Sequence, residues 1–401
     1  MSRRICIVTG SRAEYGLLRG VIEGVRDSSI LTLQLVATGM HLSPEFGLTY
    51  REIESDGFAI DERVEILLSS DTAVGVSKAL GLGVIGFADA FARLKPDVVV
   101  LLGDRFEILA AAAAALFAGI PVAHIHGGET TEGAFDEAIR HSVTKMAHLH
   151  FVAAAPYANR VIQLGEAPER VFLVGGLGVD AIRRLELLNR NALERSLDFK
   201  LGERNLLITF HPVTLEEGDA AAQMQALLAA LDALGPETHL IFTMPNADTG
   251  GRELARMVDA FVAGRANARS YTSLGQLRYL SCMQHVDGVV GNSSSGLIEA
   301  PSFGIGTINI GSRQTGRLKA ASVIDCAPRQ DAIEAALKRL FSAAFRHMLA
   351  DVENPYGSGG ATDEIVRALE EHPLEGLLKK RFHDIALSDG PECMSIRTGG
   401  L

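Results

Sequence analysis

Residues 95–137 read KPDVVVLLGDRFEILAAAAAALFAGIPVAHIHGGETTEGAFDE. An apolar run, Val98 to Leu102, gives way at once to Gly103-Asp104-Arg105-Phe106-Glu107. An alanine-rich helical stretch follows, then a second apolar run, Val122 to Ile125, and the loop His126-Gly127-Gly128-Glu129-Thr130-Thr131-Glu132-Gly133. Short apolar runs alternating with a helix imply parallel strands joined by a crossover. In such a sheet the loops after the carboxyl ends of adjacent strands line one crevice. The pattern therefore gathers Asp104, Glu107, Glu129, Glu132 and Asp136, where carboxylates can exchange protons with a bound substrate. Plainer roles fit part of the same stretch. Asp104 with Glu107 three residues on has the form of a capping pair for the helix beginning at Phe106, which does not exclude catalysis, and Asp136 suits the first turn of the next helix. Gly127, Gly128 and Gly133 permit backbone shapes that an ordinary surface loop does not need, which favours a working role for Glu129.

Toward the N-terminus, Ile5 to Thr9 is a short β-branched strand running into Gly10-Ser11-Arg12-Ala13-Glu14-Tyr15-Gly16 and an amphipathic helix through Arg26. Such a turn offers free helix N–H groups to an anion, and Arg12 at its mouth suits a bidentate phosphate contact. The turn lacks GxGxxG spacing and is no dinucleotide fingerprint. Leu31 to Ala37 alternates as a second strand and ends in Thr38-Gly39-Met40-His41, and the long irregular segment that follows, to Gly57, has the length of a functional lid. Ser77 to Arg93 is helical by pattern. Beyond the opening stretch come a helix from Asp136 to Met146, a strand from Leu149 to Val152, a helix from Pro156 and a strand from Val171 to Val174. The charged helical stretch from Gly175 to Arg204 is the crossover into a second βα series, with strands at Leu206 to Phe210, His239 to Phe242, Arg269 to Tyr271, Gly288 to Val290 and Thr307 to Ile310, and a weaker one at Val323 to Ile324. The expected organisation is α/β: two doubly wound domains, 1–175 with the carboxylates and 176–358 with a nucleotide site. A C-terminal piece, 359–401, carries a helix from Ala361 to Glu371 that packs back on the first domain and a tail of little periodicity. A cleft between two such domains is the natural ligand site.

The chain has 401 residues, 47% hydrophobic and 22% charged, ample for two cores. A net charge of −11 and a sequence pI of about 5.6 argue against general attraction to nucleic acid or an anionic membrane. An anionic ligand then needs a local basic pocket. Cys6, Cys282, Cys326 and Cys393 show no CxxC pairing, and the opening MSRRICIVTG has too short an apolar run for a signal peptide. A reduced, cytoplasmic protein is expected.

The second series carries the most specific motif, Val290-Gly291-Asn292-Ser293-Ser294-Ser295-Gly296-Leu297-Ile298-Glu299-Ala300-Pro301. A strand ending in three hydroxyls and a glycine at a helix start offers a pyrophosphate N–H groups, hydroxyl donors and a positive helix end. Glu299, about one turn on, is placed to accept from a ribose diol. His211-Pro212, Met244-Pro245-Asn246 and Arg313 also follow strands and face the same crevice. With Arg12, Arg105 and Ser293 to Ser295 they make a sugar-nucleotide site. His124, His126 and Glu129 have spacing that could ligate a metal, but His124 lies within an apolar strand and reads better as a buried, hydrogen-bonded histidine. No metal and no cofactor is assigned.

These motifs resemble one family, the hydrolysing UDP-N-acetylglucosamine 2-epimerases of sialic acid pathways. The matching stretches are GSRAEYG, TGMHL, LLGDRFE, HIHGGETTEGAFDEAIRHSVTKMAHLHF, ITFHPVT, MPNAD, GNSSSGLIEAPSFG and NIGSRQTGR, in order over residues 1–317. The resemblance implies the GT-B type of fold, two Rossmann-like domains facing each other across a cleft, and a homodimer. It implies anti elimination of the nucleoside diphosphate across C1 and C2, giving a 2-acetamidoglucal, then addition of water with inversion at C2 to release N-acetylmannosamine and UDP, without a redox cofactor. It implies proton chemistry at Asp104 and Asp136, and nucleotide contacts at Arg12, Arg105, His211, Ser293, Ser294, Glu299 and Arg313. The chain departs from the pattern at one position. Many relatives carry His-x-Glu before the glycines, which puts the family glutamate at His126, while Glu129 lies three residues later. Either residue can fill that role, Glu129 with slight preference. A UDP- or GDP-linked 2,4-diacetamido-trideoxy sugar is the alternative substrate, and a glycosyltransferase or a sugar-nucleotide sensor the alternative class.

Overall fold

The computed structural model describes residues 2–68, 70, 72–131, 135–211, 220–244 and 251–385. Among these residues the strands form two sheets. The first holds β1 (Arg3–Thr9), β2 (Leu31–Thr38), β3 (Glu62–Val64), β4 (Val98–Leu102), β5 (Val122–Ile125), β6 (Leu149–Val152) and β7 (Val171–Leu173), in the order β3-β2-β1-β4-β5-β6-β7. The second holds β8 (Arg204–Thr209), β9 (Thr238–Thr243), β10 (Ala268–Tyr271), β11 (Gly288–Gly291), β12 (Gly306–Ile310) and β13 (Val323–Cys326), in the order β10-β9-β8-β11-β12-β13. Every strand pair is parallel. Strand order reverses between β1 and β4 in the first sheet and between β8 and β11 in the second. At such reversals the two departing loops diverge and leave a crevice.

The central strands are apolar without interruption because both faces are covered. Ile5, Ile7, Val98 and Val100 join one cluster, while Cys6, Val8, Val99 and Leu101 point into the cluster on the opposite face. The second sheet repeats the arrangement with Leu206 and Ile208 on one face and Leu207 and Val289 on the other. The alanine run packs as the spacing predicts: Ala110, Ala111, Ala112, Ala114 and Ala115 are buried in the helix Phe106–Ala118. It lets the helix Ala73–Leu94 come close, since a Cβ at Gly83 would stand 2.8 Å from that of Ala110. Ala73–Leu94 is long and apolar enough to cross a bilayer by length and composition, but its Phe87, Ala90 and Phe91 are buried in the core over the first sheet.

Three local features differ from the sequence reading. The strand β3 has only three residues with the polar sequence ERV, too short for a periodicity signal. The helix expected from Ser77 begins at Ala73, because Thr72 caps it by accepting from the Gly75 N–H at 3.1 Å. The segment after β2 is pinned: the buried His41 ring lies 3.0 Å from Thr9 Oγ1 and 2.8 Å from Thr49 Oγ1.

The helix Ala361–Glu371 buries Ala361, Ile365, Ala368 and Leu369 in the cluster that holds Leu18, Val21, Ile22 and Val25 of the helix Arg12–Asp27. Its first turn has no capping side chain of its own. Asp180, from the helix Leu177–Arg184, supplies one across the fold, accepting from the Gly360 N–H at 2.5 Å, the Thr362 N–H at 3.2 Å and the Thr362 hydroxyl. Asp180→Ala leaves those buried donors without a partner and is expected to lower unfolding free energy by about 2 kcal/mol, measured as a lower urea midpoint at unchanged m-value.

Candidate active site

The turn after β4 does not close on itself as a capping pair. Arg105, not Asp104, takes the N-cap position, with no side-chain cap. Asp104 instead accepts from the guanidinium of Arg140, a 2% exposed residue whose Nη2 also donates to Thr131 Oγ1 at 2.9 Å. Burial, with repulsion from Arg317, brings Arg140 down to about 9. Glu107 leaves the crevice and turns under the β1 loop. Its Oε1 accepts from Arg105 Nε at 2.8 Å, and its Cγ lies where a Cβ on Gly10 would be only 2.6 Å away. Glu14 stands beside it, with Oε2 accepting from the Gly10 N–H at 2.7 Å. Burial, with the Glu107 charge beside it, pushes Glu14 up to about 8. Asp136 opens the helix Phe135–Met146 and is half-buried.

After β5 the chain turns sharply at His126, which takes the left-handed conformation at φ 64°. Its Nε2 accepts from the Leu177 N–H at 3.5 Å. Its Nδ1 lies 3.2 Å from Glu129 Oε1, an ion-pair distance. The two candidates for one role are thus side by side. Gly128 must be glycine, since a Cβ there would stand 2.4 Å from the Tyr157 carbonyl oxygen. Glu129 is 2% exposed, and burial alone would raise its pKa, but His126 and Arg317 together hold it below the usual carboxylate value. His124 is a buried histidine with both ring nitrogens engaged, Nε2 2.7 Å from the Gly103 carbonyl and Nδ1 3.1 Å from Thr144 Oγ1, and burial brings it down to about 3. Among the described residues no group of three His, Cys, Asp or Glu side chains is arranged to hold a metal.

In the second sheet, Gly291 at φ 138° lets β11 pass so close to β8 that a Cβ would stand 1.9 Å from the Thr209 carbonyl oxygen. Asn292 then ties the two loops together: Oδ1 accepts from the His211 N–H at 2.7 Å and Nδ2 donates to the His211 carbonyl at 2.8 Å. The Asn292 carbonyl accepts in turn from Arg313 Nη1 at 3.1 Å and Gln314 Nε2 at 2.8 Å. His211, Asn292 and Arg313 therefore stand together beyond the ends of β8, β11 and β12. Burial, with Arg313 nearby, brings the His211 ring down to about 3. The three serines are not equivalent. Ser295 Oγ lies 2.7 Å from the Tyr279 hydroxyl and 2.9 Å from Ser293 Oγ, so it is turned inward. The helix they begin is a single turn, Ser295–Ile298, followed by the 3-10 turn Ala300–Phe303 with its Pro301, so Glu299 sits at the end of a helix and not inside one. Glu299 packs against Gly178, where a Cβ would stand 2.0 Å from Oε1, and burial pushes it up to about 7. Asn246 lies outside the described residues, as do Pro212, Pro245, Glu132 and Gly133.

Arg12 is engaged with partners of its own, one of them across the cleft. Its Nη1 donates to Ser273 Oγ at 2.8 Å, beyond β10, and its Nε lies 2.8 Å from Glu52 Oε2. It borders a cavity of about 250 Å³ between the domains, with Arg19, Asp56 and Arg278.

The sequence matches the profile of the UDP-N-acetylglucosamine 2-epimerase family over residues 23–370. The chain belongs to that family. It is 41% identical over 385 residues to the GDP/UDP-N,N'-diacetylbacillosamine 2-epimerase (hydrolyzing) of Campylobacter jejuni, covering 96% of this chain and 99% of that one. It is 36% identical over 374 residues to the UDP-N,N'-diacetylbacillosamine 2-epimerase (hydrolyzing) of Legionella pneumophila, covering 93% and 97%. The crystal structure of the Neisseria meningitidis UDP-GlcNAc 2-epimerase bound to UDP-GlcNAc superposes with a TM-score of 0.78 at 18% identity, over 91% of this chain and 99% of that one. The two doubly wound halves are therefore the Rossmann-like pair of a GT-B type fold.

In this epimerase-family chain the sequence reading passed over Glu14, Arg140 and Arg317. Arg140 lies four residues after Asp136, one helical turn, a spacing that could have flagged it. Glu14 stands three residues after the N-cap Ser11, the S-x-x-E spacing of a capping box, which could have flagged it, whereas Arg317 acts on residues distant in sequence and nothing local announces it. Glu14 offers a pH test. Folding favours its protonated form, since its pKa of about 8 in the fold lies above the ordinary value of 4.5. That stabilisation is whole below about 4.5 and lost as pH rises through about 8. Wild type is expected to lose Tm relative to Glu14→Gln across that window in thermal melts, and a constant difference would show that the carboxyl does not titrate there.

Proposed function

We propose that this chain is a hydrolysing 2-epimerase of a nucleoside diphosphate-linked acetamido sugar, and that the sugar is of the 2,4-diacetamido-trideoxy kind. What supports the reaction is one juxtaposition: carboxylates held by guanidiniums on one wall of the cleft, and His211, Asn292, Arg313 and the serines on the other. What supports the sugar is the near full-length relationship to the two diacetylbacillosamine enzymes. UDP-N-acetylglucosamine, the substrate expected first from the sequence, is the second reading. The free thiols Cys6 and Cys282 lie buried, which suits a reducing cytoplasm.

The second domain holds the diphosphate at Ser293, Ser294 and Arg313, with Arg12 and Arg105 completing its charge balance from the first. Glu299, whose Oε2 is buried without a partner among the described residues, takes the ribose hydroxyls. A base on the first domain removes the C2 proton as the C1–O bond breaks toward the phosphate, leaving a 2-acetamidoglycal. A proton delivered to C2 from the other face, with water at C1, yields the free 2-epimer and the nucleoside diphosphate. Asp104 and Asp136 carry this proton traffic with His126 and Glu129, which lie 3.2 Å apart.

The test is incubation with UDP- and GDP-linked acetamido sugars in D2O without an acceptor, followed by NMR of the released sugar. Deuterium at C2 is expected, and retention of the original hydrogen there would refute the mechanism. Asp104→Asn and Asp136→Asn are each expected to cut turnover by about 100-fold or more with UDP affinity nearly kept. In the same series Ser294→Ala should weaken UDP binding by about 1 kcal/mol or more.

We propose further that the enzyme is a homodimer through the helix Ala73–Leu94. Val74, Leu82 and Ile85 are exposed on it, as is Phe117 on the helix it packs against. Lys78, Leu82, Ile85 and Asp89 share one helical face, with the two charges four residues outside the apolar pair. An antiparallel two-fold contact therefore matches Lys78 of one protomer with Asp89 of its partner. Ile85→Arg is expected to halve the mass in light scattering, and a dimer that persists removes this surface.

A further inference from the structure

One guanidinium of the second domain reaches across the cleft. Arg317 Nε donates to the Thr130 carbonyl at 3.2 Å, Nη2 donates to Thr131 Oγ1 at 3.2 Å, and Nη1 lies 3.6 Å from Glu129 Oε2. All three contacts fall on the loop after β5, in the opposite domain. The neighbouring Leu318 is clamped: its N–H donates to the Tyr157 hydroxyl at 3.1 Å and its carbonyl accepts from the Tyr356 hydroxyl at 3.2 Å, the two hydroxyls being 3.1 Å apart. The guanidinium therefore arrives at a fixed place. Thr131 Oγ1 also accepts from Arg140, which holds Asp104, so one hydroxyl joins the two carboxylate sites.

We infer that Arg317 is a positioning residue that keeps Glu129 ionised in the closed cleft and so keeps the His126–Glu129 unit able to accept a proton. The inference rests on the reading of that unit as the acid–base pair. Its warrant is geometric. Glu129 is almost without solvent, and among the described residues His126 and Arg317 are the basic groups within 4.0 Å of it. Facing it from other elements are His124 on β5, the Tyr157 and Tyr356 hydroxyls, and Glu299 of the second domain, whose charge opposes its ionisation. Arg140 is committed to Asp104 and Arg160 to the Gly128 carbonyl. An imidazole is a cation only when it carries a second proton, whereas a guanidinium is a cation without that condition. Without Arg317, the buried carboxylate loses the cation whose charge does not depend on a proton, and its protonated form is favoured.

The test is the pH dependence of nucleoside diphosphate release by wild type, Arg317→Lys and Arg317→Gln. A base that must be ionised makes the rate fall at low pH. Arg317→Gln is expected to move that acidic limb up by about one unit or more, while keeping most of the rate at high pH. Arg317→Lys restores the charge and is expected to return the limb toward wild type. Affinity for UDP should stay within about threefold in both, because the guanidinium contacts of Arg317 fall on the loop after β5 and not on the serines or Arg313. A uniform drop in rate at every pH, with the limb unmoved, would overturn the inference and make Arg317 a structural tie. Loss of UDP affinity with the limb unmoved would overturn it in favour of a nucleotide contact. A second measurement separates this from the function reading. In UDP-bound protein carrying 13C-labelled glutamate, the Glu129 carboxyl, assigned by its absence in Glu129→Gln, should titrate at higher pH in Arg317→Gln than in wild type. If wild type turns over no donor in the panel, the proposed reaction fails, and the NMR titration still decides the role of Arg317. An unshifted Glu129 titration overturns it.

Discussion

A carboxylate taken out of water must find a cation or a proton, and much of this cleft is arranged around that requirement. Desolvation of an isolated buried carboxylate costs several kcal/mol, so each one here carries its own remedy. Asp104 has Arg140, Glu107 has Arg105, and Glu129 has Arg317 with His126. Among the described residues Glu14 and Glu299 have no comparable cation, and for both burial favours the neutral form. Arg105 and His126 are near neighbours in the chain, but Arg140 and Arg317 come from distant elements, which makes correct packing a condition for the charge state of Asp104 and Glu129.

The two reversals of strand order set where that chemistry can occur. Each opens a crevice at the carboxyl ends of its strands, and the domains turn these crevices toward each other. Glycine makes the close approaches possible. Gly10 leaves room for Glu107, and Gly291 lets β11 run against β8, which brings Asn292 to the His211 backbone. A methyl group at either position would push a functional loop out of place rather than merely strain a turn.

The domains are also joined mechanically. The chain returns from the second domain through Tyr356, whose hydroxyl meets Tyr157 and Leu318, and then lays the helix Ala361–Glu371 on the first domain under the cap of Asp180. The end of the chain thus belongs to the core of its beginning. That return path holds the tie at Leu318, and with it Arg317, in register with the loop after β5.

Patterns with a short period were legible in the sequence. The uninterrupted apolar run at Val98 to Leu102, the alanine helix and the turn residues at the strand ends identified parallel α/β architecture in two series. They also identified the strand-end positions where Asp104, Glu129, His211, Ser293 and Arg313 stand, because strand direction alone dictates which loops share a crevice. What the local pattern could not carry was partnership between residues far apart. It offered Asp104 and Glu107 as a capping pair for one helix, whereas in the fold Glu107 accepts from Arg105 beside Gly10 and Asp104 accepts from Arg140. It treated His126 and Glu129 as rivals, whereas a left-handed turn at His126 sets them side by side. It quoted Arg317 within a motif without a role, since only the docking of one domain on the other brings that guanidinium to Glu129. Periodicity is a property of neighbours along the chain, and the charge balance of a buried site is a property of neighbours in space.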